Sequence, residues 1–233
     1  MAEPTSLSVR HELAFLHTSA VHIPTFENLV QTISPGLKVH HHVDACLLAD
    51  AQRAGGIDAA LGQRIQAAMH EAGKSGSRLV VCTCSTIGAV AESMGQHADF
   101  ATARIDRAMA DKAVKLGARI LMVAALESTL LPTRELLAES ARRAGKAVDI
   151  RELLVSSAWL HFMSGDRSAY LQDIIANLRQ VVHMGDVDVV VLAQASMAAA
   201  ADELADLGLP VLASPSLGVA SAIAYLDHNR KAG

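Results

Sequence analysis

The chain carries one organisational plan twice, and that repeat constrains its architecture more than any single residue does. Ile23-Pro24-Thr25-Phe26-Glu27-Asn28-Leu29 recurs 108 positions later as Leu131-Pro132-Thr133-Arg134-Glu135-Leu136-Leu137. Leu79-Val80-Val81-Cys82-Thr83-Cys84-Ser85-Thr86 has its counterpart 110 positions on, in Val189-Val190-Val191-Leu192-Ala193-Gln194-Ala195-Ser196. Two similar offsets predict two similar lobes, residues 1–108 and 109–212, with the C-terminal segment 213–233 returning to the first lobe. If the lobes face one another, Cys84 and Gln194 point into one cleft.

Hydrophobic runs alternate with helical patterns along both halves. Strands are expected at Glu12–His17, Lys38–His42, Arg78–Thr83, Arg119–Ala124, Val148–Glu152, Asp188–Leu192 and Pro210–Leu212. Helices are expected near Thr25–Ile33, Ala45–Ala54, Ile57–Ala72, Ile87–Glu92, Ile105–Leu116, Thr133–Ala144, Ser168–His183, Met197–Leu207 and Gly218–His228. That order predicts an α/β protein of two doubly wound lobes with mainly parallel sheets, related by a pseudo-twofold and enclosing a central cleft. A closed barrel of eight strand and helix units would need more chain.

Composition removes several function classes. A formal charge of −4, with no basic stripe interleaved with aromatics, gives nucleic acid little attraction. The first 15 residues lack the basic-then-apolar order of an export signal, and no run of 18 apolar residues offers a membrane span, so a cytoplasmic protein is expected. Three cysteines fit a reducing compartment better than a disulfide framework. Metal is not expected: Cys82 and Cys84 have no second cysteine pair, and His40-His41-His42 alternate faces on a strand and read as strand-end or surface residues. Neither a dinucleotide glycine run nor a phosphate loop occurs, since Gly73-Lys74-Ser75 lacks the upstream glycine, so no cofactor is expected.

The chemistry concentrates at strand ends. Cys84 follows a buried strand, where the amides of the next helix can favour a thiolate and Ser85 and Thr86 can hold a carboxylate. Thr18 and Thr129, in the first loops of the two halves, are candidate carboxylate or oxyanion donors, and Gln194 and Ser196 face them from the second lobe. His22 and Glu127 are candidate second acids or bases. Cys82 and Cys46 read as core residues, Arg104 and Asp106 as a charged helix start, and Trp159 and Phe162 as cover for a core or subunit contact.

With these residues in view, the chain resembles the aspartate/glutamate/hydantoin racemase superfamily over nearly its whole length. Cys84-Ser85-Thr86 is similar to that family's first Cys-Asn-Thr element, with Ser in place of Asn. The resemblance implies two α/β lobes around a cofactor-free site, in which a cysteine from each lobe moves a proton on opposite faces of a carbon beside a carboxylate. The second element departs from this pattern: where the family usually carries Gly-Cys-Thr, this chain has Ala193-Gln194-Ala195, and an amide cannot exchange a proton as a thiol does.

The expected function is a cofactor-independent racemase or isomerase of a small amino-acid-like substrate, with Cys84 moving the proton. The alternatives are a one-thiol decarboxylase or lyase of a small dicarboxylate, and a non-catalytic small-carboxylate binding protein. The expected partners are a small carboxylate-containing metabolite and a second copy of the chain in a homodimer, with no nucleic acid and no membrane.

Overall fold

The computed structural model describes residues 11–96 and 99–231. Residues 1–10, which carry most of the segment read above for an export signal, lie outside them. Leu13–His17 (β1), Val39–Val43 (β2), Leu79–Cys82 (β3) and Ala101–Arg104 (β4) form one parallel sheet in the order β2-β1-β3-β4. Arg119–Ala124 (β5), Asp149–Leu154 (β6), Val189–Leu192 (β7) and Val211–Ala213 (β8) form a second in the order β6-β5-β7-β8. The same strand order in both sheets is the repeat realised in three dimensions, and it is the two-lobed α/β architecture that the sequence predicts.

The helices are Ile23–Ile33 (α1), Ala45–Ala54 (α2), Ala59–Gly73 (α3), Gly88–Ser93 (α4), Arg107–Leu116 (α5), Glu127–Arg143 (α6), Ser156–Met163 (α7), Arg167–Met184 (α8), Ala200–Glu203 (α9) and Ser214–Lys231 (α10). Local chemistry sets several starts. Asp44, Asp58 and Asp166 each accept a bond from a backbone N–H of the following first turn, supplying partners that the helix cannot supply itself. Pro24 occupies the first turn of α1, where its missing N–H costs nothing.

Alternation along the strands decides which helices cover which face. Ala14, Leu16, Val80 and Cys82 meet α2, α3 and α4 on one face, while Leu13, Phe15, Leu79 and Val81 meet α1 and α10 on the other. In the second sheet, Ile120 and Met122 pack toward α5 and α6, and Leu121 and Val123 toward α7, α8 and α9. Both sheets are thus buried on both faces, which is why their central strands read as continuous apolar runs. The C-terminal helix α10 lays Val219, Ala222, Ile223 and Leu226 against the first sheet's core. Gly218 permits that approach, because a Cβ there would stand 2.2 Å from the Ile105 carbonyl oxygen.

Several expectations require correction. The strand β4 went unpredicted; Asp106 stands at the start of α5, as expected of a charged helix start, whereas Arg104 ends β4, and the two are buried and paired. Cys46 is exposed, because α2 buries Leu47 and Ala51, one turn apart, and Cys46 falls off that stripe. The Ala-rich stretch expected as one helix over Met197–Leu207 breaks into 3-10 turns at Ala195–Met197 and Ala205–Leu207 flanking the short α9. Burial of Ser196 and Met197 in the first turn, with the Tyr170 hydroxyl 2.6 Å from Ser196 Oγ, holds this segment to the core instead. The helix α6 begins at Glu127, so Pro132 lies inside it and Glu127-Ser128-Thr129 forms its first turn instead of a loop.

Among the described residues no helix is long and apolar enough to cross a membrane, and no group of three or more His, Cys, Asp or Glu side chains is placed to hold a metal ion.

Candidate functional site

Cys84 and Gln194 each stand two residues beyond the end of a central strand, β3 and β7, and both line one small cavity between the lobes. Thr18, Ser19, His22, Ser85 and Thr86 join Cys84 from the first lobe. Thr129, Ser196, Trp159 and Phe162 join Gln194 from the second. The free space is about 50 Å³, room for a few waters at about 10–15 Å³ each. Thr86 and Leu126 also border an adjoining depression of about 680 Å³. Of the candidate residues, only Glu127 fails to reach the cavity: as the first residue of α6 it is exposed and lines that depression.

The Cys84 thiol is enclosed by donors. The Thr18 hydroxyl, the backbone N–H groups of Ile87 and Thr86, and the Thr86 hydroxyl all bond it and favour the thiolate. Burial outweighs them and pushes the thiol up from its usual range. Cys84 is therefore a protonated thiol at neutral pH. Cys82, wholly buried in the sheet, is pushed far higher by burial and is an inert core residue, as the sequence suggests.

Gln194 is locked in one orientation. Its Oε1 accepts from the backbone N–H groups of Ala125 at 2.7 Å and Leu126 at 3.1 Å, at the start of α6. Two N–H donors on one atom identify that atom as the carbonyl oxygen. The amide nitrogen bonds no other described residue, so its two N–H groups remain for whatever enters the cavity. An amide thus occupies the end of β7 as a fixed hydrogen-bond donor with no proton to exchange.

Links between the lobes converge here. Ser85 Oγ donates to the Ala193 carbonyl at 2.8 Å, and the Thr86 and Thr129 hydroxyls lie 3.4 Å apart. Behind this loop Arg104 forms a double bond pair with Asp106, at 2.6 and 3.0 Å, and donates to the Ser85 carbonyl at 3.3 Å. The buried ion pair therefore grips the backbone next to Cys84.

His22 lies against Phe162, with ring centroids 6.4 Å apart, and Phe162 stacks on Trp159 at 4.6 Å. Burial, and then the nearby Arg167 charge, lower the His22 pKa to about 4, so the ring is neutral at pH 7. Trp159 and Phe162 cover the second sheet's core, as expected, and are also walls of the cavity.

Sequence reasoning also missed a buried histidine pair beside the site. Thr83, another cavity residue, gives its hydroxyl proton to the Leu16 carbonyl at 3.1 Å and lies 2.9 Å from His17 Nδ1. His17 Nε2 is 2.8 Å from His41 Nδ1. With the Thr83 proton committed, this pattern assigns the His17 proton to Nδ1 and the bridging proton to His41 Nδ1. Burial, followed by the charges of His41 and His22, lowers His17 to about 3. Burial also lowers His41.

A histidine depressed in the fold from an ordinary value of 6.5 stabilises the native state fully above pH 6.5, and that stability drains away as pH falls toward about 3. The urea midpoint is expected to fall steadily from pH 7 to pH 4.5, and less steeply in a His17→Gln protein. Equal midpoints at the two pH values would contradict the buried neutral pair.

The family model for Asp/Glu/hydantoin racemases matches residues 18–222. None of the curated proteins matches the chain in sequence. Among solved structures, a glutamate racemase isoform from Bacillus anthracis superposes with a TM-score of 0.70 at 13% identity, covering 94% of this chain and 83% of its own. The aspartate racemase of Picrophilus torridus gives 0.66 at 13% identity, over 92% and 94% of the two chains. A single-site mutant of arylmalonate decarboxylase gives 0.54 at 16% identity, over 92% and 93%. These likenesses show a shared two-lobed fold, and the match to the family model, spanning the cavity residues from Thr18 to Ser196, shows that the chain belongs to the Asp/Glu/hydantoin racemase family.

Proposed function

We propose that the chain catalyses cofactor-independent proton transfer at a carbon beside a carboxylate or acyl group, with Cys84 as the only thiol in the site. The observation that carries this reading is the pairing of Cys84 with the fixed amide of Gln194 in one cavity. Withdrawing a proton next to a carboxylate, or losing carbon dioxide from a malonate, places negative charge on oxygen. The Gln194 N–H groups and the Thr18, Thr86 and Thr129 hydroxyls are donors suited to that charge. Cys84 then removes or returns the proton from one face.

Racemisation or isomerisation needs a second group on the other face, and neutral His22 is the candidate for that role. Glu127 is less suited, being exposed outside the cavity. A second reading, decarboxylation with protonation on one face, is favoured by one observation: burial holds the Cys84 thiol protonated, which is the state a proton donor needs. The acceptor is a small carboxylate-containing metabolite, and the chain acts as a homodimer without metal or organic cofactor.

Gln194→Glu tests the role of the amide. The carboxylate keeps an acceptor for the Ala125 and Leu126 N–H groups but loses the donors facing the cavity. Hydrogen exchange or turnover is expected to fall by roughly 10²–10³-fold, the usual effect of losing one oxyanion donor, with a thermal midpoint close to the parent's. Unchanged turnover would remove Gln194 from the mechanism.

A further inference from the structure

The charge balance of the cavity selects against the substrates usual for an amino-acid site. Among the described residues no Asp, Glu, Lys or Arg side chain lines it. The charge of Arg167, which acts on the wall at His22, is cationic. A free ammonium would enter this space with no anionic partner, and burying an unpaired charge is costly. A carboxylate, in contrast, meets hydroxyls and the two N–H groups of Gln194.

The opposite wall is flat and aromatic. Trp159 and Phe162 stack at 4.6 Å with their planes only 16° apart, and His22 lies nearly parallel to Phe162 at 22°. Rings so arranged favour a planar guest over a saturated one of the same size. The helix that carries them packs on α8 and the second sheet's core through Ala158, Trp159 and Phe162 and leaves its outer side open. Of its residues only Ala158 is buried, whereas Leu160 and Met163 are 72% and 69% exposed. A space of about 50 Å³ holds only part of an organic acid, so a guest extends out of the mouth or displaces a wall.

Building on the proton-transfer reading above, we infer that the substrate is an acid bearing an aryl or other planar unsaturated group and no free amine, received between α7 and the Cys84 loop. The planar group takes up stacking with Trp159 and Phe162, and the carboxylate faces Gln194 and the threonine hydroxyls.

Trp159 is the only tryptophan of the chain, so its fluorescence reports directly on this wall. Titrating the Cys84→Ser protein with phenylacetate, cyclohexylacetate, phenylglycine and aspartate separates recognition from turnover. Phenylacetate is expected to bind at least tenfold tighter than phenylglycine or aspartate, and roughly three- to tenfold tighter than cyclohexylacetate, the range set by aromatic stacking. Phe162→Leu should erase most of the preference over cyclohexylacetate. Equal or tighter binding of either amine-bearing acid would overturn the inference, as would failure of phenylacetate to change the fluorescence at millimolar concentration. Tight phenylacetate binding with no proton exchange in the parent protein would leave the substrate class standing and remove the proton-transfer reading. Exchange of amino acids alone would do the reverse.

Discussion

Cys84→Ser is expected to lower proton exchange and turnover by at least roughly 10²–10⁴-fold, the contribution of a positioned acid or base. The hydroxyl is nearly isosteric and can keep the bonds from Thr18, Thr86 and the Ile87 N–H, so the fold should survive. A serine hydroxyl neither holds nor releases a proton near neutral pH as a thiol does. The same substitution at Cys82 or Cys46 should leave chemistry nearly intact, since one is sealed in the sheet and the other is exposed on α2. Assay of the three serine variants side by side, with far-UV circular dichroism to check folding, measures this directly. Equal losses in all three would point to general destabilisation and not to chemistry at Cys84.

Asp106→Ala should cause the largest loss of stability. Arg104 and Asp106 have side chains only 3% and 0% exposed, and removing the carboxylate leaves a guanidinium buried without its partner. Breaking such a pair costs about 3–5 kcal/mol, which for a chain of this size lowers the thermal midpoint by roughly 6–20 °C. Arg104 also donates to the Ser85 carbonyl, and its guanidinium lies so close to α4 that a Cβ on Gly88 would stand 3.0 Å from Nε. Loosening Arg104 should therefore disturb the Cys84 loop as well as the fold. A double replacement, Arg104→Met with Asp106→Leu, removes both charges and should recover much of the lost stability while activity stays low. A thermal midpoint unchanged by Asp106→Ala would show that the pair does not carry this load.

The repeat was legible because both halves use the same devices. Each carries a proline in the helix after its first strand, in the first turn of α1 and inside α6, and a Val-rich strand runs straight into the site. The buried strands β3 and β7 follow from unbroken apolar runs, and Thr18, Cys84, Thr86, Gln194 and Ser196 follow from their places after strands. The short strand β4 was not legible, because Ala-Thr-Ala-Arg offers four residues and little hydrophobic signal. Nor was the His17 and His41 pair, since it depends on β1 lying parallel to β2 in the register that sets Phe15 beside His41. Trp159 and Phe162 cover the second sheet's core, as expected, but the helix α7 that carries them and their second role as cavity walls were not read from the sequence. The identity of Gln194 was plain in the sequence. Its orientation was not, because the two amides that fix it come from residues nearly 70 positions away.

The central claim is that Cys84 alone moves a proton on one face of the substrate. Incubation of single enantiomers of 2-aryl carboxylates, amino acids and hydantoins, and of substituted malonates, in heavy water tests it, with deuterium and configuration resolved in each product. The account predicts that a chiral substrate gains deuterium faster than it inverts, or that a malonate yields one labelled enantiomer, and that both signals vanish in Cys84→Ser. Label incorporation that persists unchanged in Cys84→Ser would contradict it.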